Sequence, residues 1–323
     1  MVTNAKIKSE QVQRLQVTED EAGQRIDNYL LARLKGVPKS LVYRIVRKGE
    51  VRVNKGRIRP HYRVQAGDEI RVPPIRLNEQ RTTNPAQATL DNLEQAILYE
   101  DKRLLIINKP SGLAVHGGSG VSYGVIEALR QLRPELKQLE LVHRLDRETS
   151  GCLVLAKRRS TLRALHELFR ENQIDKRYLA LVAGAWKGGE RRIDAPLKKN
   201  LLSSGERVVR VNDQGKQSAT VFSPLAVREN VSLLEARLET GRTHQIRVHC
   251  SHSGHPIAGD DKYGDRQFNQ DMKNYGLKRL FLHAWRIAFY LPDDGGRIDV
   301  RAPLPNDLKN VLQRLDINDE TLL

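Results

Sequence analysis

The stretch Leu141–Ala156, with the sequence LVHRLDRETSGCLVLA, joins a charged polar turn directly to an apolar run. The run Leu153–Ala156 is typical of a buried β-strand. A single carboxylate, Asp146, lies between Arg144 and Arg147 just before that strand. A nearby cation keeps a carboxylate ionised, so Asp146 fits a nucleophilic or acid–base role. A turn aspartate that caps backbone amides is the alternative, and composition alone favours it.

The residues around this stretch alternate between predicted strands and helices. The predicted strands are Leu104–Ile107, Tyr178–Ala183, Ser232–Leu238 and Leu280–Leu291, the last as one bent strand or two. The predicted helices are Val125–Leu132, a helix with Leu162, Leu165, Leu168 and Phe169 on one face, Thr243–Ser253 capped by Gly254, and a short helix around Leu308–Leu315. Because this order has no regular βαβ rhythm, we expect an α+β domain with a mixed, largely antiparallel sheet.

The positive charge of the chain is concentrated near its N-terminus. The whole chain has 55 Lys and Arg residues against 39 acidic ones, a net charge of +16, and Arg25–Arg76 alone has 14 − 4 = +10. Such an excess favours a polyanionic partner, above all nucleic acid, although solvated lysines that keep the chain soluble are the alternative. The hydrophobic content of 39% excludes a disordered chain, and the apolar runs are too short to span a membrane.

The apolar residues of this basic segment predict two short helices followed by strands. The first helix is indicated by the spacing of Ile26, Leu30 and Leu34; the second covers Leu41–Val46 and ends at Gly49; a hairpin turns at Asn54–Gly56; and Ile70–Val72 is a strand. Basic residues on the second helix and the hairpin form one predicted phosphate-binding face: Lys39, Arg44, Arg47, Lys48, Arg52 and Lys55.

Three segments of this module, GQRID at 23–27, RIVRKGEV at 44–51 and Gly67-Asp68, resemble the S4 RNA-binding domain. The resemblance implies a small α/β fold that recognises structured RNA. We place this S4-like domain at residues 18–75 and a polar, proline-containing linker at 76–91. A larger domain over 92–323 then carries the chemistry.

Several common site chemistries lack their motifs. The chain has no P-loop, no Rossmann fingerprint, no Gly-x-Ser-x-Gly elbow and no Cys-x-x-Cys pair. Four histidines, His244, His249, His252 and His255, lie close together, and Asp260 and Asp261 follow them, but the spacing is not that of structural zinc. We expect no metal; these histidines would face RNA or be hydrogen-bonded. Cys152 and Cys250 are expected to be reduced thiols of a cytoplasmic protein without a secretory signal.

Six segments between residues 98 and 284 resemble, in order, the motifs of the RluA family of pseudouridine synthases. They are NKPSGLAVH at 108–116, HRLDRETSG at 143–151, KRYLA at 176–180, GRTHQIRVH at 241–249, PIAGDDKYG at 256–264 and LFLHA at 280–284. The resemblance implies the catalytic fold of that family and the conversion of uridine to pseudouridine without a cofactor. By resemblance Asp146 is the essential aspartate, Tyr178 the active-site tyrosine and Arg242 the basic partner of the aspartate.

The reaction breaks the N1–C1′ bond of a uridine and rejoins C1′ to C5, so the product is an isomer. Asp146 would attack C1′ or remove a proton from C2′, and Tyr178 would stack on the uracil, relay the C5 proton, or both. Ile246 and Leu282 are expected in the wall of the base pocket or in the core. Arg144 would fill the space left by a flipped-out uridine or contact a phosphate. Positive charge around the cleft would come from Arg147, Arg242, Arg247 and Lys262.

An S4-like domain in front of these motifs implies large-subunit (23S) ribosomal RNA as the substrate, free or in assembly intermediates, and we expect a monomer. Two other functions stay open. The first is an RNA-binding assembly factor without catalysis. The second is a hydrolase of the N-glycosidic bond, for which Glu148 is the second carboxylate, sharing a face with Asp146 if that segment is an alternating strand.

Overall fold

The computed structural model describes residues 11–34, 37, 39–75, 85–118, 121–201, 207–292 and 296–318. The chain folds into two compact units, Met1–Thr82 and Thr83–Leu323. Within the described ranges, no helix is both long and apolar enough to cross a membrane.

The first unit is a four-stranded antiparallel sheet with two helices. Its elements are β1 (Gln13–Gln16), α1 (Ile26–Arg33), α2 (Lys39–Arg47), β2 (Arg52–Val53), β3 (Gly56–Arg57) and β4 (Glu69–Val72), with the strand order β1-β4-β2-β3. The predicted helices and hairpin are confirmed. Ile26 and Leu30 are fully buried in the core of this unit. Asn54 and Lys55 both have positive φ, the backbone that a two-residue hairpin turn requires.

The second unit is built on one ten-stranded sheet, flanked by a separate hairpin and by helices. Its strands are β5 (Ile97–Glu100), β6 (Leu104–Lys109), β7 (Glu140–Leu141), β8 (Ser150–Ala156), β9 (Asp175–Ala183), β10 (Arg191–Asp194), β13 (Ala219–Val227), β14 (Val231–Leu238), β15 (Leu282–Tyr290) and β16 (Arg297–Arg301), and the hairpin is β11 (Leu197–Leu201) and β12 (Arg207–Val211). Its helices are α3 (Gln87–Gln95), α4 (Val125–Leu132), α5 (Arg159–Arg170), α6 (Gln245–His252), α7 (Arg266–Asn274) and α8 (Asn306–Arg314).

The strands follow the order β10-β13-β14-β9-β15-β8-β6-β5, with β16 beside β15 and β7 beside β8. The pair β8–β15 is parallel, and the other described pairs of this sheet are antiparallel. The predicted α+β class with a mixed, largely antiparallel sheet is therefore confirmed.

Helices cover both faces of the sheet, which explains the continuous apolar runs of its central strands. Leu105 and Ile107 of β6 pack with Leu93 of α3 and Leu129 of α4 on one face. On the opposite face, Leu104 and Ile106 pack with Leu165 of α5. Farther along the sheet, α7 and α8 cover one side of β9 and β14, and α6 covers the other. A residue of the central strands is therefore buried whichever way its side chain points.

Two details differ from the sequence prediction, and a third decides between alternatives that the sequence left open. Helix α3 begins at Gln87, inside the predicted linker 76–91, because Leu90 and Leu93 pack onto the sheet and Pro85 lies before the first turn, where it breaks no helical hydrogen bond. The rest of that linker, 76–84, lies outside the described residues. The segment Leu280–Leu291 forms one strand, β15, whose pairing with β9 is irregular between His283 and Arg286. The pattern also missed α7, a largely polar helix capped by Asp265, which accepts from Phe268 N.

Strands β8 and β15 approach each other so closely at Gly151 that a side chain cannot fit there. A Cβ at Gly151 would lie 2.2 Å from the carbonyl oxygen of Ala284, and the φ of Gly151 is +111°. We therefore expect Gly151→Ala to lower the free energy of unfolding by about 3 kcal/mol or more, measured by urea denaturation. The matched control is Gly118→Ala, where a Cβ meets nothing within 4 Å and φ is not positive. Equal stability of the two variants would show that β8 and β15 can separate.

Candidate active site

A pocket of about 120 Å³ lies where the loop before β8, the first half of β9 and the loop before α6 meet. Six of the predicted site residues line it: Arg144, Asp146, Tyr178, Arg242, Ile246 and Leu282. Arg147 does not line the pocket. Its side chain is exposed, and its Nε donates to Glu148 Oε1 at 2.8 Å. The structure therefore brings together all of the predicted catalytic and substrate-binding residues except Arg147.

Asp146 is the one carboxylate among the described lining residues, and its side chain is 19% exposed. Arg247 Nη1 lies 3.5 Å from Asp146 Oδ2, and His244 Nε2 lies 3.7 Å from the same oxygen. The predicted partner, Arg242, instead donates from Nε to the carbonyl oxygen of Gln217 at 3.2 Å. The pairing predicted for Asp146 is therefore wrong in this structure, where Arg247 takes that place.

Arg247 is held in place by a second carboxylate behind it. Its Nε and Nη2 donate to the two oxygens of Asp260, each at 2.7 Å. Asp260 is fully buried and also accepts from the backbone amides of Lys262 and Tyr263. Burial alone would raise the pKa of Asp260, but the hydrogen bonds and charge of Arg247 hold it below its usual value. The bidentate grip leaves Nη1 of Arg247 free to face Asp146.

His244 is a neutral ring whose Nε2 faces Asp146. Tyr263 Oη accepts from Val209 N at 3.0 Å and lies 2.7 Å from His244 Nδ1, to which it can donate its own proton. This assignment of hydrogens leaves the remaining proton of the ring on Nε2, the atom nearest Asp146. Burial lowers the pKa of His244 even though the charge of Asp146 opposes that shift. His244 therefore contributes a dipole rather than a full charge.

Tyr178 lies at the floor of the pocket on β9, with its phenol protonated. Burial first, and the charge of Asp146 second, raise the pKa of this hydroxyl. Within the described residues the hydroxyl makes no hydrogen bond. Leu282 of β15 lies opposite Ala180 of β9, and Ile246 of α6 packs in the same apolar cluster as these two residues. The pocket thus combines apolar walls with one unbonded phenol and one carboxylate.

The loop that carries Asp146 is held from behind by buried polar groups. Lys109 is fully buried, and its Nζ donates to the carbonyl oxygens of Pro110, Leu113 and Arg147 at 2.8, 2.8 and 3.0 Å. Ser111 Oγ donates to the carbonyl oxygen of Glu148. Burial lowers the pKa of Lys109 to about 7. These bonds fix the backbone on the C-terminal side of Asp146.

Ser150 and His283 join the end of the same loop to β15. His283 Nε2 donates to the carbonyl oxygen of Ala302 at 3.1 Å, so Nδ1 accepts from Ser150 Oγ at 2.9 Å. Both side chains are fully buried. Burial lowers the pKa of His283 to about 4, so the ring is neutral at physiological pH.

The loop before α6 is fixed by one buried amide. Gln245 Oε1 accepts from Arg242 N and Thr240 Oγ1, and its Nε2 donates to Ala219 O and Thr220 Oγ1. His244 has left-handed φ and ψ of 55° and 20°, which turns the chain into α6. This local backbone brings Arg247 to the pocket and leaves Arg242 near its rim.

The histidines considered as metal ligands serve separate parts of the fold. His249 Nδ1 lies 2.9 Å from Thr220 Oγ1, and His255 Nδ1 lies 2.8 Å from the carbonyl oxygen of Ala183. In the part of the chain that the structure describes, no group of three His, Cys, Asp or Glu side chains could hold a metal ion. Cys152 and Cys250 are both free and buried.

Glu148 does not share a face with Asp146, because residues 146–148 form a turn rather than a strand. Its carboxylate pairs with Arg147, and Glu148 lines a different cavity behind the loop. The second carboxylate near the pocket is Asp260, which is committed to Arg247. The pair of carboxylates that the hydrolase hypothesis needs is therefore not formed by these residues.

The predicted RNA-binding residues of the first unit leave several charges unpaired. Arg44, Arg47, Lys48 and Lys55 are exposed and make no ion pair with any described residue. Arg52 lies directly opposite Arg57 across β2 and β3, so two like charges face each other. Lys39 begins α2, but its side chain lies outside the described residues. This repulsion favours an anionic partner at the hairpin.

Four residues around Asp146 escaped the predicted catalytic set: Arg247, His244, Asp260 and Tyr263. Arg247 was assigned only general positive charge, whereas His244 and Asp260 were considered as metal ligands. One signal was available, because His244 and Arg247 are three residues apart and helical spacing places them on one face. The bidentate contact between Arg247 and Asp260 joins a helix to a loop and leaves no mark in local periodicity.

Comparisons with known proteins show the family. The family model for RNA pseudouridylate synthase matches residues 103–252, and the S4 domain model matches residues 24–70. Among curated proteins, the chain is similar to ribosomal large subunit pseudouridine synthase C of Pasteurella multocida, with 58% identity over 96% of each chain. It is 53% identical to the protein of that name from Escherichia coli K12, over 96% of this chain and 98% of the other.

Among solved structures, the chain is similar to human RNA pseudouridylate synthase domain containing 4. The TM-score is 0.59 and the identity 30%, over 72% of this chain and 97% of the human chain. The human RNA pseudouridylate synthase domain containing 1 has a TM-score of 0.54 and 28% identity, over 67% of this chain and 85% of the other.

The buried His283 predicts a loss of stability in mild acid. Its folded pKa of about 4 lies below the roughly 6.5 of an unfolded histidine, so the unfolded chain binds more protons between these values. The stabilising contribution is therefore present above pH 6.5 and is lost as the pH falls toward 4. We expect His283→Gln to remove about 2 kcal/mol of the decline in unfolding free energy between pH 6.5 and 4.5.

Urea titrations at several pH values measure this difference, with His166→Gln, an exposed position on α5, as the matched control. The assignment of His283 as a buried neutral ring is wrong if its variant and the wild type decline in parallel.

Proposed function

The chain belongs to the pseudouridine synthases, and we propose that it converts specific uridines of large-subunit ribosomal RNA into pseudouridines with Asp146 as the catalytic carboxylate. The family assignment rests on relatives that are 53–58% identical over nearly the whole chain. The observation that carries the role of Asp146 is its position as the one described carboxylate of the pocket, facing Arg247.

Two groups, Arg247 and His244, face the carboxylate of Asp146. Arg247 is itself anchored by Asp260, so its charge stays in place when solvent leaves the pocket. His244 adds a neutral N–H toward the same oxygen. An ionised Asp146 can attack C1′ of the uridine or remove the proton from C2′, and either step frees the base to turn and offer C5 to C1′.

Tyr178 is suited to the later part of the cycle. Its protonated phenol stays next to Asp146, with a hydroxyl free to bond the uracil. After C1′ has joined C5, that carbon must lose its proton, and a phenol next to a carboxylate can pass a proton to solvent. Ile246 and Leu282 give the flat base an apolar wall. Because no atom leaves and no electron is gained or lost, the cycle needs no cofactor.

The rest of the chain supports RNA as the partner. A uridine in folded RNA must be flipped out of its stack to reach a pocket in the protein. The exposed Arg144 lines the pocket two residues before Asp146 and makes no ion pair within the described chain, so it is free to enter the vacated space or bind a phosphate. The basic face of the S4 unit would bind a second RNA element. We place the enzyme in the cytoplasm and expect it to act as a monomer.

Loss of the Asp146 carboxylate tests the central proposal. Wild type and Asp146→Asn are incubated with large-subunit ribosomal RNA transcribed without modifications, and pseudouridines are mapped by carbodiimide adducts and reverse-transcription stops. We expect stops with the wild type and a loss of more than about 1,000-fold in rate with Asp146→Asn, at unchanged RNA affinity. Asp261→Asn, at an exposed carboxylate of the same domain, is the matched control.

Three outcomes would replace the proposal. Equal modification by wild type and Asp146→Asn removes Asp146 from the chemistry. Release of free uracil in place of pseudouridine identifies a hydrolase. If the wild type binds the transcript and assembly intermediates but modifies neither, the chain is an RNA-binding factor.

The geometry also predicts which arginine serves Asp146. We expect Arg247→Met to lower the single-turnover rate at saturating RNA by about 100-fold or more, and Arg242→Met to act mainly on RNA affinity. Arg247→Met leaves Asp260 buried without its partner, so the double variant Arg247→Met/Asp260→Asn separates misfolding from lost catalysis. A rate loss confined to Arg242→Met would instead identify Arg242, the residue predicted from the motif, as the partner of Asp146.

A further inference from the structure

A second cavity adjoins the catalytic pocket and carries only positive charge. Its volume is about 440 Å³, and it shares Arg144, Tyr178 and Arg242 with the catalytic pocket. Arg170 and Lys176 add two further cations to its lining. No described lining residue is acidic. The cavity therefore offers an anion four cations at the edge of the site where Asp146 works.

Lys176 is the unusual member of this lining. Only 7% of the residue is exposed, yet among the described residues its Nζ makes neither a hydrogen bond nor an ion pair. Its Nζ lies over the face of the Phe169 ring, 5.6 Å from the ring centroid. The adjacent Asp175 is engaged by Arg177 and Arg286. Lys176 is thus a buried cation directed into a cavity, without a full counter-charge.

The neighbours of Lys176 compensate only in part for this charge, through the adjacent Asp175. His143 accepts from Val154 N through Nε2 at 3.0 Å, so it offers Lys176 no lone pair there. Burial, together with the charge of Lys176, lowers the pKa of His143 to about 4. Burial also lowers the pKa of Lys176. A buried cation without a partner lowers the stability of the folded protein. A bound anion would offset this destabilisation.

The position of Lys176 identifies the anion. Lys176 and Tyr178 are two residues apart on β9, so their side chains leave the same face of the strand about 7 Å apart. With a base stacked on Tyr178, this offset along the strand suits the neighbouring link of the same RNA strand. Arg144 and Arg242 line both cavities and connect the two positions.

We propose that this cavity, with Lys176 at its base, binds the backbone phosphate of the nucleotide next to the flipped uridine. The inference rests on the proposed function and adds a subsite to it. The phosphate would take hydrogen bonds from Lys176 and from the arginines at the rim. Binding there would hold the strand in its flipped-out form and leave the chemistry to Asp146.

The test is Lys176→Met, which keeps an unbranched apolar stem of similar size and removes the charged amine. With unmodified large-subunit ribosomal RNA, we expect KM to rise about tenfold or more, while the single-turnover rate at saturation changes less than about threefold. The slope of log affinity against log salt should become shallower by about one. Unfolding free energy in urea should stay equal or increase, because an uncompensated buried charge has gone.

The matched control is Lys187→Met, at an exposed lysine beyond the opposite end of β9, which should leave KM and the salt slope unchanged. A lower unfolding free energy with an unchanged salt slope would show that Lys176 is a structural residue and overturn the proposal. If the wild type modifies the RNA and Lys176→Met has the same KM as the wild type, the phosphate subsite is refuted and the proposed function stands. Absence of modification by the wild type removes the proposed function itself, so the two failures are distinguishable.

Discussion

The contact of Arg247 with two carboxylates is the interaction on which the site depends. Asp260 takes two nitrogens of the guanidinium, and the third faces Asp146. Each part needs the others: Asp260 is fully buried and requires a cation, Arg247 is largely buried and requires an anion, and Asp146 requires a fixed positive charge beside it. The positive charge beside Asp146 therefore stays in place when water leaves the pocket.

That contact forms because three segments that are distant in sequence meet at the central strands: the loop with Asp146, helix α6 with Arg247, and the loop with Asp260. The loop of Asp146 ends at β8, which runs parallel to β15 at Gly151. Close approach at Gly151, the bonds of Lys109 and the Ser150–His283 pair fix this loop without using any group that faces the pocket. Rigidity is thus supplied by buried polar groups behind the site, and the groups in front stay free to bind substrate.

Local sequence predicted much of this fold, for physical reasons that differ by element. The segment Val125–Leu132 has helical periodicity and clear sequence signals for where the helix begins and ends, so both of its ends were predicted correctly. The site was predicted less completely, because Arg242 and Arg247 belong to one motif and periodicity cannot say which enters the pocket. His244 decides this: its left-handed backbone breaks the helical phase between the two arginines. The polar helix α7 was missed because it buries little more than Met272.

Positive charge has two separate tasks in the catalytic unit, and salt distinguishes them. The Arg247–Asp146 contact is sheltered, so salt screens it weakly. Arg144 and Arg242 are exposed, and phosphate binding by such residues weakens steeply as salt rises. Salt should therefore reduce RNA binding at concentrations well below those that change the rate at which bound RNA is modified. Lys176 lies between these extremes, since it is buried like Arg247 but shares its cavity with the exposed arginines.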